Sequence, residues 1–280
     1  MSHGAPLADS REFAFSDEEF RFLSGLVSQQ VGIVFGENKK AMVYARLTRR
    51  LRALGLPDFR AYCALVEESD EEKHHLINAL TTNLTRFFRE KHHFDHLRTH
   101  LLEPLAAKPP ARKHLRIWSA ACSSGMEPYS LAMTVRSVFP DLTGWDARIL
   151  ATDIDTNMLH LGETGLYDAT QLTHIPPPYD SQKFFTEKDG EISMAPELKK
   201  LIAFRRLNLL EEWPMRGTFD AIFCRNVTIY FDKPTQKDLY ERMAELLNPQ
   251  GWLYIGHSEN LTGLSDRFEL AGRTTYRKVR

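Results

Sequence analysis

The chain has 280 residues, of which 42% are hydrophobic and 26% are charged, and its formal net charge is −1. This composition is typical of a soluble globular protein of one large domain, or of a main domain with a smaller partner. A net charge near zero excludes a global basic field for nucleic acid or an anionic membrane, so charge-based recognition requires a local patch.

The N-terminal sequence "MSHGAPLADSREF" has no basic segment followed by an apolar run, so we expect no signal peptide. No stretch approaches the roughly 20 apolar residues that span a bilayer. We therefore predict a cytoplasmic protein that does not insert into a membrane.

Residues 1–104 are predicted to form an all-α N-terminal domain. Ser16-Asp17-Glu18-Glu19 is a capping box, and apolar residues follow it at helical spacing. Further helices are predicted at 38–54, 58–67 and 70–82. Gly55 is expected to end the second of the four helices, because glycine adopts the left-handed conformation of a helix C-terminus without strain.

A local basic patch lies on that second helix. Lys39, Arg46, Arg49 and Arg50 have spacings that a helix brings to one side. Charge runs usually form a solvated helix face. The alternative is that this patch docks an acidic partner.

Residues 105–114 contain "AAKPPARKH" and are predicted to be an exposed linker. Apolar strands then alternate with helices through residues 115–280, which predicts a mostly parallel sheet covered on both faces. The strands are predicted at 115–120, 147–154, 201–210, 219–227 and 252–258, and the helices at 127–138, 156–162 and 233–247. Residues 268–279 are expected to form an antiparallel hairpin at the sheet edge.

Residues 165–200 interrupt this alternation. Two short segments flank Asp189-Gly190, a dipeptide that is typical of a hairpin turn. We predict a small antiparallel β subdomain inserted here.

The three cysteines are far apart and show no CxxC spacing, which argues against a disulfide framework or a structural zinc site. Four of the eleven histidines lie in the pairs His74-His75 and His92-His93 beside charged residues. Solvated helix faces account for these pairs better than metal ligation does, so we predict no metal.

Small or polar residues follow four of the predicted strands. Ligands of open α/β sheets bind at the carboxyl ends of strands. The first strand leads into "WSAACSSGMEPYS" (118–130), the second ends at Asp153, and the others end at Asn208-Leu209 and Arg225-Asn226. Each feature alone is also compatible with packing, but four strand ends together favour a nucleoside site.

The loop after the first strand favours one class of cofactor. It contains a single glycine, Gly125, and the helix after it begins near Glu127, whose carboxylate would repel a pyrophosphate. S-adenosylmethionine has no phosphate, and its ammonium group would be attracted to Glu127. We therefore predict S-adenosylmethionine as cofactor, with S-adenosylhomocysteine as product.

Six sequence motifs occur in one order along the chain. They are "TTNLTRFFRE" (81–90), "WSAACSSGMEPYSLAM", "ATDID", "LNLL", "FCRNVTIYF" and "GHSEN". This series resembles that of the chemotaxis receptor methyltransferases, the CheR family. The resemblance implies an α/β fold, a Rossmann-like methyltransferase sheet with an all-α N-terminal domain and a small antiparallel β insertion.

The resemblance also implies an activity, the methylation of glutamate side chains on the cytoplasmic helices of chemoreceptors. One alternative is a non-catalytic signalling protein that binds S-adenosylmethionine or S-adenosylhomocysteine. Another is a methyltransferase for small molecules, which would not need a basic N-terminal domain.

Site residues follow from the resemblance, motif by motif. Its implied cofactor contacts are Asn83, Thr85, Arg89, Glu127, Asp153, Asn208, Leu209, Arg225 and Asn226. Arg89 and Tyr230 are implied to position the reacting groups. Receptor methylation regions are acidic in this family, so Arg46, Arg49 and Arg50 are implied to dock them.

Two departures from the family pattern are Met126, where an acid is frequent, and Thr228, where methionine is more usual. We expect altered packing and retained activity. The turn "TEKDGE" is short, so we expect no dependence on a receptor C-terminal pentapeptide. Nothing in the sequence demands an oligomer, and we expect a monomer.

Overall fold

A computed structural model describes residues 12–280, so residues 1–11 of the predicted N-terminal domain lie outside the described residues. The chain forms two compact units that divide between Thr81 and Thr82. Each unit is described by itself below.

Residues 12–81 of the first unit contain four α-helices, as the sequence predicts. They are α1 (Asp17–Val31), α2 (Lys40–Leu54), α3 (Phe59–Glu68) and α4 (Asp70–Leu80), and a 3₁₀ turn, Glu37–Lys39, precedes α2. The capping box of α1 is confirmed, because the Ser16 hydroxyl accepts the Glu19 N–H at 3.1 Å and Glu19 accepts the Ser16 N–H at 2.7 Å. Gly55 ends α2 with φ 65°, as predicted.

The second unit contains the remaining elements. The helices are α5 (His92–Leu97), α6 (Glu103–Ala107), α7 (Met126–Val138), α8 (Thr156–Thr164), α9 (Pro196–Lys199) and α10 (Lys233–Leu246). The strands are β1 (His114–Ala120), β2 (Asp146–Asp153), β3 (Leu166–Asp168), β4 (Phe185–Lys188), β5 (Glu191–Met194), β6 (Ile202–Arg206), β7 (Phe219–Cys224), β8 (Leu247–Ile255), β9 (Phe268–Gly272) and β10 (Thr275–Lys278). A π turn, Arg98–Leu102, joins α5 to α6, and 3₁₀ turns span Ala169–His174 and Thr228–Tyr230.

The main sheet has seven strands in the order β6-β2-β1-β7-β8-β10-β9. The first five are parallel, and the hairpin β9–β10 is added antiparallel to β8. The predicted α/β class, terminal hairpin and inserted antiparallel sheet are therefore confirmed. The chain moves outward from β1 on one side through β2 and β6, and on the other side through β7 and β8.

The boundary between the units differs from the predicted boundary at residue 104. Residues 82–107 belong to the second unit because their apolar side chains pack on its sheet: the Phe94 ring lies 5.7 Å from Phe223, and the His93 ring lies 5.4 Å from Tyr254. Helix α6 also extends into the predicted linker.

The inserted subdomain has one strand more than predicted. Its sheet has the order β3-β5-β4, and the Asp189-Gly190 turn joins β4 to β5 as expected. Strand β3 is three residues long, too short for an alternating pattern to show.

Among residues 12–280, no helix combines the length and the apolar character that crossing a membrane requires.

Candidate functional site

The carboxyl ends of β1 and β7 lie side by side at the point where strand order reverses. Ala120, the last residue of β1, pairs in register with Cys224 of β7 and with Thr152 of β2. The three loops that follow these strands therefore begin at one edge of the sheet. This is the place where open α/β sheets bind their ligands.

The loop after β1 is a turn of small residues with an unusual backbone. Ala121, Ser123 and Gly125 all have positive φ, at 60°, 50° and 86°. A Cβ on Gly125 would lie 2.7 Å from the Gly162 Cα, so close packing as well as φ requires glycine there. Positive φ at the two non-glycine residues, Ala121 and Ser123, strains the backbone, so surrounding contacts must hold this conformation. Such strain is common at ligand sites.

Asp153 holds this turn in place. Its Oδ2 accepts the Ser123 N–H at 2.7 Å, and its Oδ1 accepts the Asp155 N–H at 2.9 Å. Burial raises the pKa of Asp153 to about 6 in spite of these bonds. Each carboxylate oxygen has a second lone pair, so Asp153 retains acceptor capacity for hydroxyl groups of a ligand.

Asn83 joins the same side of the crevice. Its side-chain amide donates to Asp155 Oδ2 at 2.7 Å, and its main-chain carbonyl accepts a hydrogen bond from the Ser123 hydroxyl at 3.1 Å. Asp155 in turn caps α8 by accepting backbone N–H groups of its first turn. Thr85 is half-buried two residues beyond Asn83. Asn83 thus contacts Asp155 and Ser123, both of which bond to Asp153, and its contact with the cofactor stays a prediction.

The segment that follows β6 starts beside Asp153. The Leu207 N–H donates to the Asp153 carbonyl at 3.0 Å. Asn208 Oδ1 then accepts the Leu210 N–H at 3.1 Å, and its amide donates to Glu211 at 3.1 Å. Asn208 and Leu209 are both buried beside the Asp153 loop. Strand β6 ends at Arg206, two residues before the predicted strand end at Asn208-Leu209. A contact of either residue with adenine stays a prediction.

The other side of the crevice contains a buried ion network around Arg225. The guanidinium donates to Glu127 Oε2 at 2.7 Å and lies 3.2 Å from Glu90 Oε2. It also donates to the Arg89 carbonyl. Glu127 Oε1 accepts the Ser119 hydroxyl at 2.7 Å. Only 2% of the Arg225 side chain is exposed, so two carboxylates share one buried cation.

The two carboxyl groups of this network have opposite pKa shifts. Burial raises the pKa of Glu127, and the opposing effects of Arg225 and Ser119 do not cancel it. Burial also acts to raise the pKa of Glu90, but the Arg225 charge and hydrogen bonds from His257 outweigh it and hold that pKa at about 2. Glu90 is therefore the more firmly ionised partner of Arg225.

Asn226 and Tyr230 lie on the loop after β7, which Glu259 anchors. Glu259 accepts the backbone N–H groups of Asn226, Val227, Thr228 and Gly256 at 2.5–2.9 Å. Asn226 has φ 59°, and Tyr230 is half-buried in the 3₁₀ turn that follows. Glu259 thus fixes the backbone that presents both residues.

Arg89 reaches the network through its main chain. Its carbonyl accepts from Arg225, while its guanidinium donates to the Leu84 carbonyl at 2.7 Å within the same loop. The backbone of this loop is also held by the Phe88 N–H, which donates to the Ser130 hydroxyl of α7 at 3.0 Å. The described contacts do not bring the Arg89 guanidinium to Tyr230.

The three arginines predicted to dock a receptor have different surroundings in the first unit. Arg46 donates to the carbonyls of Leu80 and Thr81, at 2.8 and 2.7 Å. Arg50 forms a two-pronged ion pair with buried Glu72, at 2.8 and 2.6 Å. Arg49 is exposed. Arg46 and Arg50 therefore hold the helices together, and Arg49 presents its charge to solvent.

The two departures from the family pattern are both buried. Met126 lies in the hydrophobic core of the second unit. The Thr228 hydroxyl lies 2.8 Å from the Tyr240 hydroxyl and donates to Glu259 at 2.9 Å. A methionine could make neither of these hydrogen bonds.

One group of described residues has ligand atoms close enough for a metal, since Glu90, His92 and His93 offer atoms within 4.8 Å of one another. The Arg225 guanidinium already pairs with Glu90, and a second cation there would be repelled. His93 is fully buried, so the solvated helix face predicted for this pair is wrong at His93. The absence of a metal stays a prediction.

Sequence reasoning missed three residues of the site: Glu90, Ser119 and Glu259. Each lies within a motif that was recognised, at the end of "TTNLTRFFRE", at the start of "WSAACSSGMEPYS" and in "GHSEN". The motif position was the available signal, but the partners are far away in sequence. Only the folded chain shows that Glu90 meets Arg225.

Comparisons with known proteins agree with this architecture. Residues 83–277 match the family described as CheR methyltransferase, SAM binding domain, and residues 18–81 match CheR methyltransferase, all-alpha domain. The chain is 45% identical to a probable chemotaxis protein methyltransferase of Rhizobium etli over 90% of this chain and 96% of that protein. It is 43% identical to the chemotaxis protein methyltransferases of Salmonella typhimurium (95% of this chain, 92% of that one) and Escherichia coli (95% and 93%). The chain belongs to the CheR methyltransferase family, and its cofactor is S-adenosylmethionine.

Proposed function

We propose that this protein transfers a methyl group from S-adenosylmethionine to glutamate side chains on cytoplasmic helices of chemoreceptors, forming methyl esters. The observation that carries the proposal is the crevice itself, where buried Asp153 and the Glu127–Arg225 pair lie at the carboxyl ends of neighbouring strands. The names of the relatives, chemotaxis protein methyltransferases, support the choice of a chemotaxis protein as substrate.

The residues of the crevice fit the chemistry of the cofactor. Within residues 12–280 the buried Arg225 Nε–H has no hydrogen-bond acceptor, which leaves a donor suited to the cofactor's carboxylate. Glu127 suits its ammonium, and Asp153 suits the two ribose hydroxyls. Asn208 and Leu209 would frame the adenine. The small residues after β1 allow a ligand to approach the backbone.

The methyl transfer itself requires few groups from the protein. The cofactor supplies a methyl group on a positively charged sulfonium. A substrate glutamate has a reference pKa of about 4.3, so it is ionised at neutral pH and needs no general base. The protein excludes water, which would stabilise the separated charges, and aligns the nucleophile, which can contribute roughly 7–11 kcal/mol. We assign Arg89 to orienting the incoming carboxylate and Tyr230 to lining the methyl path.

The test is an incubation with methyl-labelled S-adenosylmethionine and membranes that contain the organism's receptors. We expect receptor label that alkali releases as methanol, and its loss with D153A. Receptor label that resists alkali would overturn ester formation. Tight S-adenosylhomocysteine binding without transfer to any receptor would instead favour a non-catalytic, cofactor-binding signalling protein.

Receptor docking is proposed for the basic face of α2, where Arg49 is exposed. We expect R49E to raise the KM for receptor about fivefold with the KM for S-adenosylmethionine unchanged, since a surface charge changes encounter more than chemistry. R50A breaks the ion pair with Glu72 and should lower stability. An unchanged receptor KM for R49E would contradict docking at this face.

We also propose that the protein does not depend on a receptor C-terminal pentapeptide. Strand β4 is an edge strand, but the turn between β4 and β5 is only Asp189-Gly190, which leaves no loop to cover a bound peptide. Calorimetry with such a pentapeptide should show no binding, and nanomolar to micromolar affinity would contradict this. We also propose a monomer that acts in the cytoplasm, which sedimentation and cell fractionation test.

A further inference from the structure

The segment after β6 is clamped from outside by one side chain of α10. Arg242 donates to the Leu209 carbonyl at 3.1 Å and to the Glu211 carbonyl at 2.5 Å. These two acceptors flank the bend that Asn208 forms with Leu210 and Glu211. A guanidinium is suited to this task because its planar fork holds two acceptors in one fixed geometry.

Arg242 is itself held by an aromatic stack. Its guanidinium lies over the Trp213 ring at 4.0 Å, and Trp213 meets Trp118 of β1 edge to face at 4.9 Å. The Trp118 indole donates to the Thr152 hydroxyl of β2 at 2.9 Å. The Arg242–Trp213–Trp118 stack therefore ends at the residue before Asp153.

Two independent connections thus link this segment to the nucleoside side of the crevice. The first is the Leu207 N–H bond to the Asp153 carbonyl, and the second is the stack from Arg242 to Thr152. Asn208 and Leu209 lie between them. Arg242 of α10 bonds to the main chain at Leu209 and two residues later at Glu211.

We propose that Arg242 is a positioning residue for the adenine: it fixes the Asn208-Leu209 backbone against which the base binds. The inference rests on the proposed placement of adenine at this segment. Arg242 acts through Leu209 and Glu211 and does not touch the cofactor. It affects the nucleoside part of the ligand and leaves the amino-acid part to Glu127.

The experiment measures dissociation constants of full-length protein for S-adenosylhomocysteine and for adenosine by calorimetry, in wild type, R242M and E127Q. Adenosine lacks the amino-acid tail. R242M should raise both constants by the same factor, about tenfold, as expected for loss of a well-placed hydrogen bond. E127Q should raise only the constant for S-adenosylhomocysteine.

Steady-state kinetics supply a second readout. R242M should raise the KM for S-adenosylmethionine by a similar factor and leave kcat at saturation near wild type. R242K retains the charge but not the fork, so it should bind adenosine as weakly as R242M, and it replaces R242M if that variant does not fold.

The matched control is Arg277, which lies over the Trp252 ring at 5.6 Å and donates to Gln250 at 2.6 Å, at the far side of the sheet. R277M should leave both constants unchanged. The inference is overturned if R242M and R242K bind adenosine like wild type, or if R277M weakens binding as much. The inference is also overturned if the wild type binds S-adenosylhomocysteine but not adenosine and R242M gives the same two results as the wild type. Failure of wild type to methylate receptors counts against the proposed function alone.

Discussion

Asp153 at the end of β2 and Glu127 in the first turn of α7 lie in one crevice, but the fold stabilises their carboxyl groups by different means. Asp153 accepts backbone N–H groups of Ser123 and Asp155, with no cation beside it among the described contacts. Glu127 is paired with the buried Arg225 guanidinium, which also meets Glu90. We call the side around Asp153, where we propose that the nucleoside binds, the nucleoside half, and the side around Glu127 and Arg225, where we propose that the amino-acid tail binds, the tail half. The nucleoside half is built from neutral dipoles, and the tail half from buried charges.

This difference determines what each half can tolerate. A carboxylate held by backbone groups keeps its partners when a neighbouring side chain is changed. A buried ion network depends on every member, because removing one leaves the others charged and unpaired. The tail half is therefore more fragile, and the nucleoside half depends more on the shape of its loops.

The largest effect should follow from loss of the shared cation. R225M removes the partner of both Glu127 and Glu90, so we expect it to lower the free energy of unfolding by about 3–5 kcal/mol. Urea denaturation measures this. R280A breaks the exposed pair of Arg280 with Asp266 and should give no measurable change. A small loss for R225M would contradict the fragility of the tail half.

The contrast between the halves also marks what the sequence can predict. Strand ends and small-residue turns depend on local pattern, so Asp153, Asn208 and the loop at 121–125 were predicted at one edge of the sheet. The pairing of Glu90 with Arg225 joins residues 135 positions apart and depends on how residues 82–107 pack. That packing also explains the boundary at Thr81, since amphipathic helices in sequence do not show which core they cover.

Asp153 of one half and Glu90 of the other should change stability with pH in opposite directions. Asp153 has a pKa of about 6 when folded and an ordinary value near 4 when unfolded, so the folded state binds more protons between these values. Its contribution to stability is present below pH 4 and is lost as pH rises to about 6, on the order of 3 kcal/mol. Glu90, with a folded pKa of about 2, contributes stability above pH 4 that is lost as pH falls toward 2.

Unfolding free energies from pH 2 to 7 test this contrast. D153N should reduce the decline between pH 4 and 6, to which the raised pKa of Glu127 also contributes, and retain the acid decline, whereas E90Q should reduce the acid decline. Ribose hydroxyls donate to an ionised carboxylate, so S-adenosylhomocysteine should bind wild type more tightly as pH rises through about 6. A D153N profile that matches wild type across both ranges would contradict the assignment of Asp153.

The smallest effect separates two serines on either side of the small-residue turn. The Ser119 hydroxyl donates to the Glu127 carboxylate at 2.7 Å, whereas the Ser123 hydroxyl donates to the neutral Asn83 carbonyl at 3.1 Å, and only its backbone meets Asp153. Hydrogen bonds to charged groups stabilise by about 1.5–3 kcal/mol and neutral ones by about 0.5–1.5 kcal/mol. S119A should therefore destabilise the protein by about 1 kcal/mol more than S123A, as measured by urea denaturation at pH 7. Because S123A leaves the backbone contact to Asp153 intact, the pH decline between 4 and 6 should persist in that variant. Equal losses for the two serines would contradict the proposed difference between the halves, because the charged and the neutral hydrogen bond would then stabilise the protein equally.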